Sequence, residues 1–134
     1  MITTDKPIFQ EFNIEGVNHI SPHNALVELQ NGMAIMIDVR EAPETAIDAI
    51  PLNDVFSYPM SGIIDQLQNI PDDKPVIVIC NAGIRSSKVV DLLNRSGFRE
   101  SANLDGGISI WKAQGLPVKS YSSPGCDCNC SCSK

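Results

Sequence analysis

Basic residues are scarce in this chain of 134: ten Lys and Arg stand against sixteen Asp and Glu, a formal net charge of −6. Such a surface repels nucleic-acid phosphates, which argues against a general DNA- or RNA-binding role. Also lacking is any apolar run near the roughly 18 residues that a membrane span needs. Met1 to Pro7 do not form a basic start followed by an apolar stretch, so no signal peptide is expected and the cytoplasm is the default compartment. No internal repeat is found. What remains is a chain of ordinary apolarity, 43% hydrophobic and 19% charged, long enough for one core and not comfortably for two.

Cysteine is absent from most of the chain. Of five, only Cys80 lies among apolar segments, while Cys126, Cys128, Cys130 and Cys132 crowd the last nine residues. An odd count so distributed is not a disulfide framework spanning a fold. Reduced thiols in a reducing compartment fit better.

Short apolar runs alternate with helical patterns. Ala34 to Val39 and Pro75 to Cys80 read as buried strands, apolar on both faces as in a parallel sheet covered above and below. Ser101 to Leu104 is a short third, and Phe56 to Tyr58 and Gly16 to Ile20 are two more candidates. Ser21-Pro22 starts a helix and Asn31-Gly32 stops it. Further helices are expected over Pro59 to Ile70, Ser86 to Ser96 and Gly107 to Gln114. The alternation predicts an α/β domain with a mainly parallel sheet of about five strands. Residues 1–20 form a lead-in with a possible first strand, and residues 21–119 the domain. Residues 120–134, with no bulky residue after Tyr121, read as a flexible Cys-rich tail.

In an open parallel sheet, ligands bind beyond the carboxyl ends of the strands. Cys80 stands at such an end, before Asn81, Ala82, Gly83, Ile84, Arg85 and Ser86 and then a helix. Unpaired N–H groups and the positive end of a helix dipole stabilise a thiolate, the nucleophilic form of cysteine. Gly83 lets the loop curl so that several amides converge. Arg85 adds a cation whose planar donors suit an oxyanion. The competing reading is plain: a cysteine ending a buried strand is often just a small hydrophobe.

Three segments carry a family likeness. Cys80 to Ser86 resembles the active-site loop of rhodanese domains, Ile37-Asp38-Val39-Arg40-Glu41 resembles their upstream strand, and Asn103 to Trp111 resembles their closing strand, Gly-Gly turn and Trp-bearing helix. The motifs occur in family order. The resemblance implies a rhodanese-like three-layer sandwich, with helices on both faces of the sheet. It also implies a sulfurtransferase in which the Cys80 thiolate takes the outer sulfur of a small anionic donor such as thiosulfate, with Arg85 on the donor's anionic end. The resulting persulfide would yield its sulfur to cyanide, a thiol or a protein acceptor. No metal or organic cofactor is implied, and no nucleic-acid or membrane partner. Asp38 and Arg40 are expected to brace the site, Trp111 to pack, and the glycines of Asp105-Gly106-Gly107 to serve a tight turn.

One departure stands out. The family's Gly-His-Ile-Pro-Gly-Ala stretch is here Asp48 to Phe56, keeping only Ile50-Pro51. Two other chemistries remain open on this fold. A cysteine phosphatase of related fold would place five residues between cysteine and arginine, where this chain has four. A rhodanese-like interaction module, or a sulfur- or metal-handling role of the tail thiols, is the alternative to catalysis.

Overall fold

Side chains alternate across a strand, so a strand apolar at every position must be covered on both faces. The computed structural model describes residues 1–120 and shows this arrangement. Its elements are β1 (His19–Ile20), α1 (Pro22–Gln30), β2 (Ile35–Asp38), α2 (Ala42–Thr45), β3 (Asp48–Ala49) and β4 (Val55–Ser57). After a short irregular helical region follow β5 (Val76–Ile79), α4 (Ile84–Arg95), β6 (Ser101–Leu104), α5 (Gly107–Ala113) and β7 (Lys119–Ser120). Five strands form one parallel sheet in the order β1-β6-β5-β2-β4. On one face, Ile35, Ile37, Val76 and Val78 pack with Val89, Val90 and Leu93 of α4. On the other, Met36, Ile77 and Ile79 pack with Ala25 and Leu29 of α1 and with Ile108 and Trp111 of α5. The three-layer α/β sandwich is therefore the observed architecture. No helix among the described residues is long and apolar enough to cross a membrane.

The single helix expected over Pro59 to Ile70 is instead three pieces: 3-10 turns at Met60–Gly62 and Leu67–Asn69 flank α3 (Ile63–Gln66). Gly62 leaves helical geometry, with φ of −123°, because Ser-Gly holds a helix poorly, and a second departure follows at Gln66, with φ of −110°. Only Ile63 of α3 is buried. The first strand is also shorter than expected. Gly16, at φ +89°, turns the chain there, and only His19 and Ile20 join the sheet. Three short elements were not expected from the sequence: the four residues of α2 and the antiparallel pair of β3 and β7, in which Ser120 faces Asp48. Cys126, Cys128, Cys130 and Cys132 lie outside the described residues.

Trp111 has no exposed surface, and its indole N–H donates to the Pro117 carbonyl at 2.8 Å. It packs, as its motif implies, and ties the chain after α5 to the core. Trp111→Phe removes that donor and part of the ring, so a loss of roughly 1–3 kcal/mol is expected in urea unfolding.

Candidate active site

The sheet register places the site. Asp38 at the end of β2 is level with Ile79, so Asp38, Arg40 and Cys80 all emerge at the same carboxyl edge. Cys80 is buried, 1% exposed. Its sulfur accepts hydrogen bonds from the backbone N–H of Gly83 at 3.1 Å and of Ser86 at 3.4 Å, and lies 3.2 Å from the Ser86 hydroxyl. The loop thus brings together two amides and one hydroxyl around one sulfur at the start of α4. Gly83 suits this loop because its φ is +88°, a conformation that side chains rarely adopt, and because the missing Cβ leaves room for the end of the Gln10 side chain.

The loop's carbonyls are held from the other side. The first turn of α5 donates from Ile108 N to the Cys80 carbonyl at 2.9 Å and from Ser109 N to the Asn81 carbonyl at 3.1 Å. This close approach explains Gly107, at φ +66°, where a Cβ would lie 2.4 Å from the Asn81 oxygen. The Gly-Gly turn therefore serves the backbone of the cysteine loop, a stronger role than a tight turn alone.

A buried chain of amides and a ring reaches the sulfur from behind. The Ser86 hydroxyl donates to the Asn103 side-chain oxygen. The Asn103 amide donates to the Gln10 oxygen at 3.0 Å and to Nδ1 of His19 at 3.0 Å. Burial lowers the His19 pKa, against the opposing pull of Asp105 and Asp5, which favours a neutral ring. Such a ring accepts at Nδ1 and donates from Nε2 to Asn13, 3.1 Å away. With its hydroxyl proton directed at Asn103, Ser86 can accept a hydrogen bond from the Cys80 thiol. Turned the other way, it can donate to a thiolate. Gln10 also accepts from Gly106 N at 2.8 Å and donates to the Gly83 carbonyl at 3.2 Å. Beside it, Asp105 accepts from the amides of Ile8 and Phe9 at 2.6 and 3.0 Å. The lead-in is thus a strap across the site.

Arg40 is 1% exposed and fully engaged. Its guanidinium meets Asp38 at 2.9 Å and Asp48 at 2.8 Å, donates to the Asp48 carbonyl at 2.8 Å and reaches the Asn81 side chain at 3.4 Å. Burial works against its charge, but the two carboxylates prevail and its pKa is raised. Asp48 is lowered in turn: burial opposes its charge and is outweighed by Lys112, at 2.7 Å, and Arg40.

Arg85 does not stand alone in the loop. Both its terminal nitrogens bind Glu44 of α2, at 2.8 and 2.7 Å, and Glu44 also accepts from the Asn81 amide at 2.8 Å. The Arg85 guanidinium, chiefly through these hydrogen bonds, holds the Glu44 carboxyl down to about 2. Glu44 was not read from the sequence as a site residue. The available signal was its capping box with Glu41, directly after the Asp38-Val39-Arg40 strand end. Gln10, His19 and Asn103 were likewise not read as site residues. A carboxylate with a depressed pKa contributes stability that is present above its ordinary value of 4.5 and is lost as pH falls through about 2. The stability gap between wild type and Glu44→Gln is therefore expected to close over that window, as measured by urea midpoints at stepped pH. A gap constant down to pH 2 would contradict the ion pair.

Two open clefts flank the loop. One, of about 300 Å³, lies beside Asn81 and is lined by Arg40, Glu44, Asp48, Ser109 and Lys112 among others. The second, of about 480 Å³, is lined by Gln10, Glu11, Phe12, Ala82 and Ile84. Among the described residues, no cluster of His, Cys, Asp and Glu is arranged to hold a metal ion.

Comparison with known proteins agrees with this geometry. A family model described as rhodanese-like domain matches residues 21–114. The chain is 34% identical over 84 residues to a sulfurtransferase of Allochromatium vinosum, covering 63% of this chain and 77% of that protein. It is 30% identical over 105 residues to the thiosulfate sulfurtransferase GlpE of Actinobacillus pleuropneumoniae serotype 3, covering 78% and 95%. Among solved structures, a rhodanese-like domain protein from Staphylococcus aureus matches with a TM-score of 0.65 at 31% identity, covering 76% of this chain and 98% of that one.

Proposed function

The chain belongs to the rhodanese-like domain family, and from that premise we propose that it is a sulfurtransferase working through a persulfide on Cys80. The observation that carries this reading is the ring of donors around the sulfur: Gly83 N–H, Ser86 N–H and the Ser86 hydroxyl. In the first half-reaction the Cys80 thiolate attacks the outer sulfur of a donor. A new sulfur–sulfur bond forms, the donor's own bond breaks, and its remainder leaves with the electron pair. In the second, an acceptor takes the terminal sulfur and the thiolate returns to the Ser86 hydroxyl and the loop amides. Asp38, Arg40 and Asp48 hold the floor beside Asn81. Asn103, set by His19 and Gln10, orients Ser86.

The test is turnover of the full chain with a sulfane-sulfur donor and cyanide, followed as thiocyanate. Ping-pong kinetics are expected, because the two substrates never meet. Absence of thiocyanate above the uncatalysed rate, with no sulfur taken up by the protein, would contradict the reading.

A further inference from the structure

Cys80 is 1% exposed, enclosed by the amides of Gly83 and Ser86 and by the Ser86 hydroxyl. A sulfur so placed leaves a folded partner little room to approach. Four further thiols of the chain, Cys126, Cys128, Cys130 and Cys132, fall within its last nine residues. The fold determines where the segment that carries them begins.

In the antiparallel pair of β7 and β3, Lys119 faces Ala49 and Ser120 faces Asp48. As residue numbers rise along β7 they fall along β3, so the pairing directs the chain after Ser120 toward Ile47 and then α2. Glu44, Ile47 and Asp48 all line the cleft beside Asn81, the neighbour of Cys80. One Arg40 nitrogen binds both the Asp48 carboxylate, at 2.8 Å, and the Asn81 side chain, at 3.4 Å. Glu44 accepts from the Asn81 amide at 2.8 Å. On this course Ile47 is 56% exposed, an apolar side chain with room for a neighbour. Between Ser120 and Cys80 stand Asp48, Arg40 and Asn81. Cys126 follows Ser120 by six residues and Cys132 by twelve. An extended chain covers about 3.3–3.6 Å per residue, so these thiols reach roughly 20 and 40 Å from Ser120. Tethered over such a span, a thiol meets the site at an effective concentration on the order of millimolar.

Resting on the sulfur-transfer reading, we infer that the tail cysteines are this chain's own sulfur acceptors. They form a tethered carrier that takes sulfur from Cys80 along the Asn81 cleft and presents it, outside the loop, to a thiol on a partner protein. The Cys80 persulfide anion first takes the proton of a tail thiol, R–SH. The tail sulfur then bonds to the terminal sulfur, the Sγ–S bond breaks, and its electron pair returns to Sγ as the thiolate that the loop amides hold. The tail now carries R–S–SH, and no oxidant or reductant is consumed. The bonds made and broken are alike, so sulfur is shared between Cys80 and the tail and not drained from Cys80.

The experiment follows the sulfur through three chains: the full chain, Cys80→Ser, and the variant Cys126→Ser/Cys128→Ser/Cys130→Ser/Cys132→Ser. Each is treated with thiosulfate, or with inorganic polysulfide where thiosulfate does not load Cys80. Samples are alkylated at timed intervals and cut into peptides for mass spectrometry. In the full chain, sulfur is expected first on the Cys80 peptide and then also on the tail peptide, in a share of the same order. Tenfold dilution of the protein is expected to leave that transfer rate unchanged. The tail of Cys80→Ser is expected to gain sulfur at least about tenfold more slowly. Discharge into thiol groups fixed on agarose beads, too large to enter the loop, is expected to be at least about tenfold slower for the four-serine variant than for the full chain. A tail peptide free of sulfur beside a loaded Cys80 would overturn the inference and leave sulfur transfer intact. So would a transfer rate that falls with dilution, which would make the acceptor the tail of a second copy, or equal discharge into the beads. If neither reagent places sulfur on Cys80 in the full chain or the four-serine variant, it is the sulfurtransferase reading itself that fails.

Discussion

Replacing Arg40 with alanine is expected to cost the fold about 3–5 kcal/mol, the usual penalty for removing one partner of a buried ion pair. Asp38 and Asp48 are 6% and 7% exposed, and without the guanidinium the Asp38 carboxylate would be buried with no cation against it. Asp48 would keep only Lys112. The Arg40 donors also tie three segments, the end of β2, the start of β3 and the Asn81 loop. Loss of structure should therefore begin at the site. Urea unfolding measures the effect, and Arg40→Lys separates charge from geometry. A single ammonium cannot reproduce the paired contacts to both carboxylates, so lysine should restore only part of the loss. An Arg40→Ala protein as stable as wild type would show that the network contributes nothing net.

Cys80→Ser is expected to abolish sulfur transfer, a fall of at least about 10³-fold in turnover, on the scale seen when a covalent nucleophile is removed. The fold should survive. Ser is close in size to Cys, and the hydroxyl meets the same donors at Gly83 and Ser86. A circular dichroism spectrum and urea midpoint near wild type, together with lost thiocyanate production, would assign the loss to chemistry. Residual turnover near the wild-type rate would place the nucleophile elsewhere, with the four cysteines after residue 120 as the first candidates.

The parts of this molecule legible in its sequence are those that local chemistry decides. The β-branched runs at Ile35–Asp38 and Val76–Ile79 read as strands covered on both faces and are so. Ser21-Pro22 read as a helix start, and the Ser21 hydroxyl caps α1 at Asn24 N, 3.3 Å away. The Cys80 to Ser86 segment read as a loop before a helix starting at Ser86, whereas α4 starts two residues earlier, at Ile84, so that Arg85 and Ser86 stand in its first turn. What escaped was decided by distance in the chain. Glu44 meets Arg85 across 41 residues, Asn103 meets His19 across 84, and Gln10 meets Gly106 across 96. Nothing near Gln10 in the sequence says that a side chain from a polar lead-in will sit under the active loop. The reading of Arg85 shows the same limit: its charge was plain, but the carboxylate already bound to it was visible only once α2 had been placed. The helix expected over Pro59 to Ile70 is broken for a local reason, since Ser61-Gly62 interrupts its apolar spacing.

The central claim is that sulfur passes through Cys80, and its most direct test is to locate the sulfur. The full chain would be loaded with a persulfide donor, freed of excess reagent, alkylated to trap persulfides and cut into peptides for mass spectrometry. The account predicts one added sulfur atom on the peptide that carries Cys80, removed on brief exposure to cyanide and missing from Cys80→Ser. Sulfur found only on the peptide carrying Cys126, Cys128, Cys130 and Cys132, with Cys80 alkylated as a plain thiol, would contradict it.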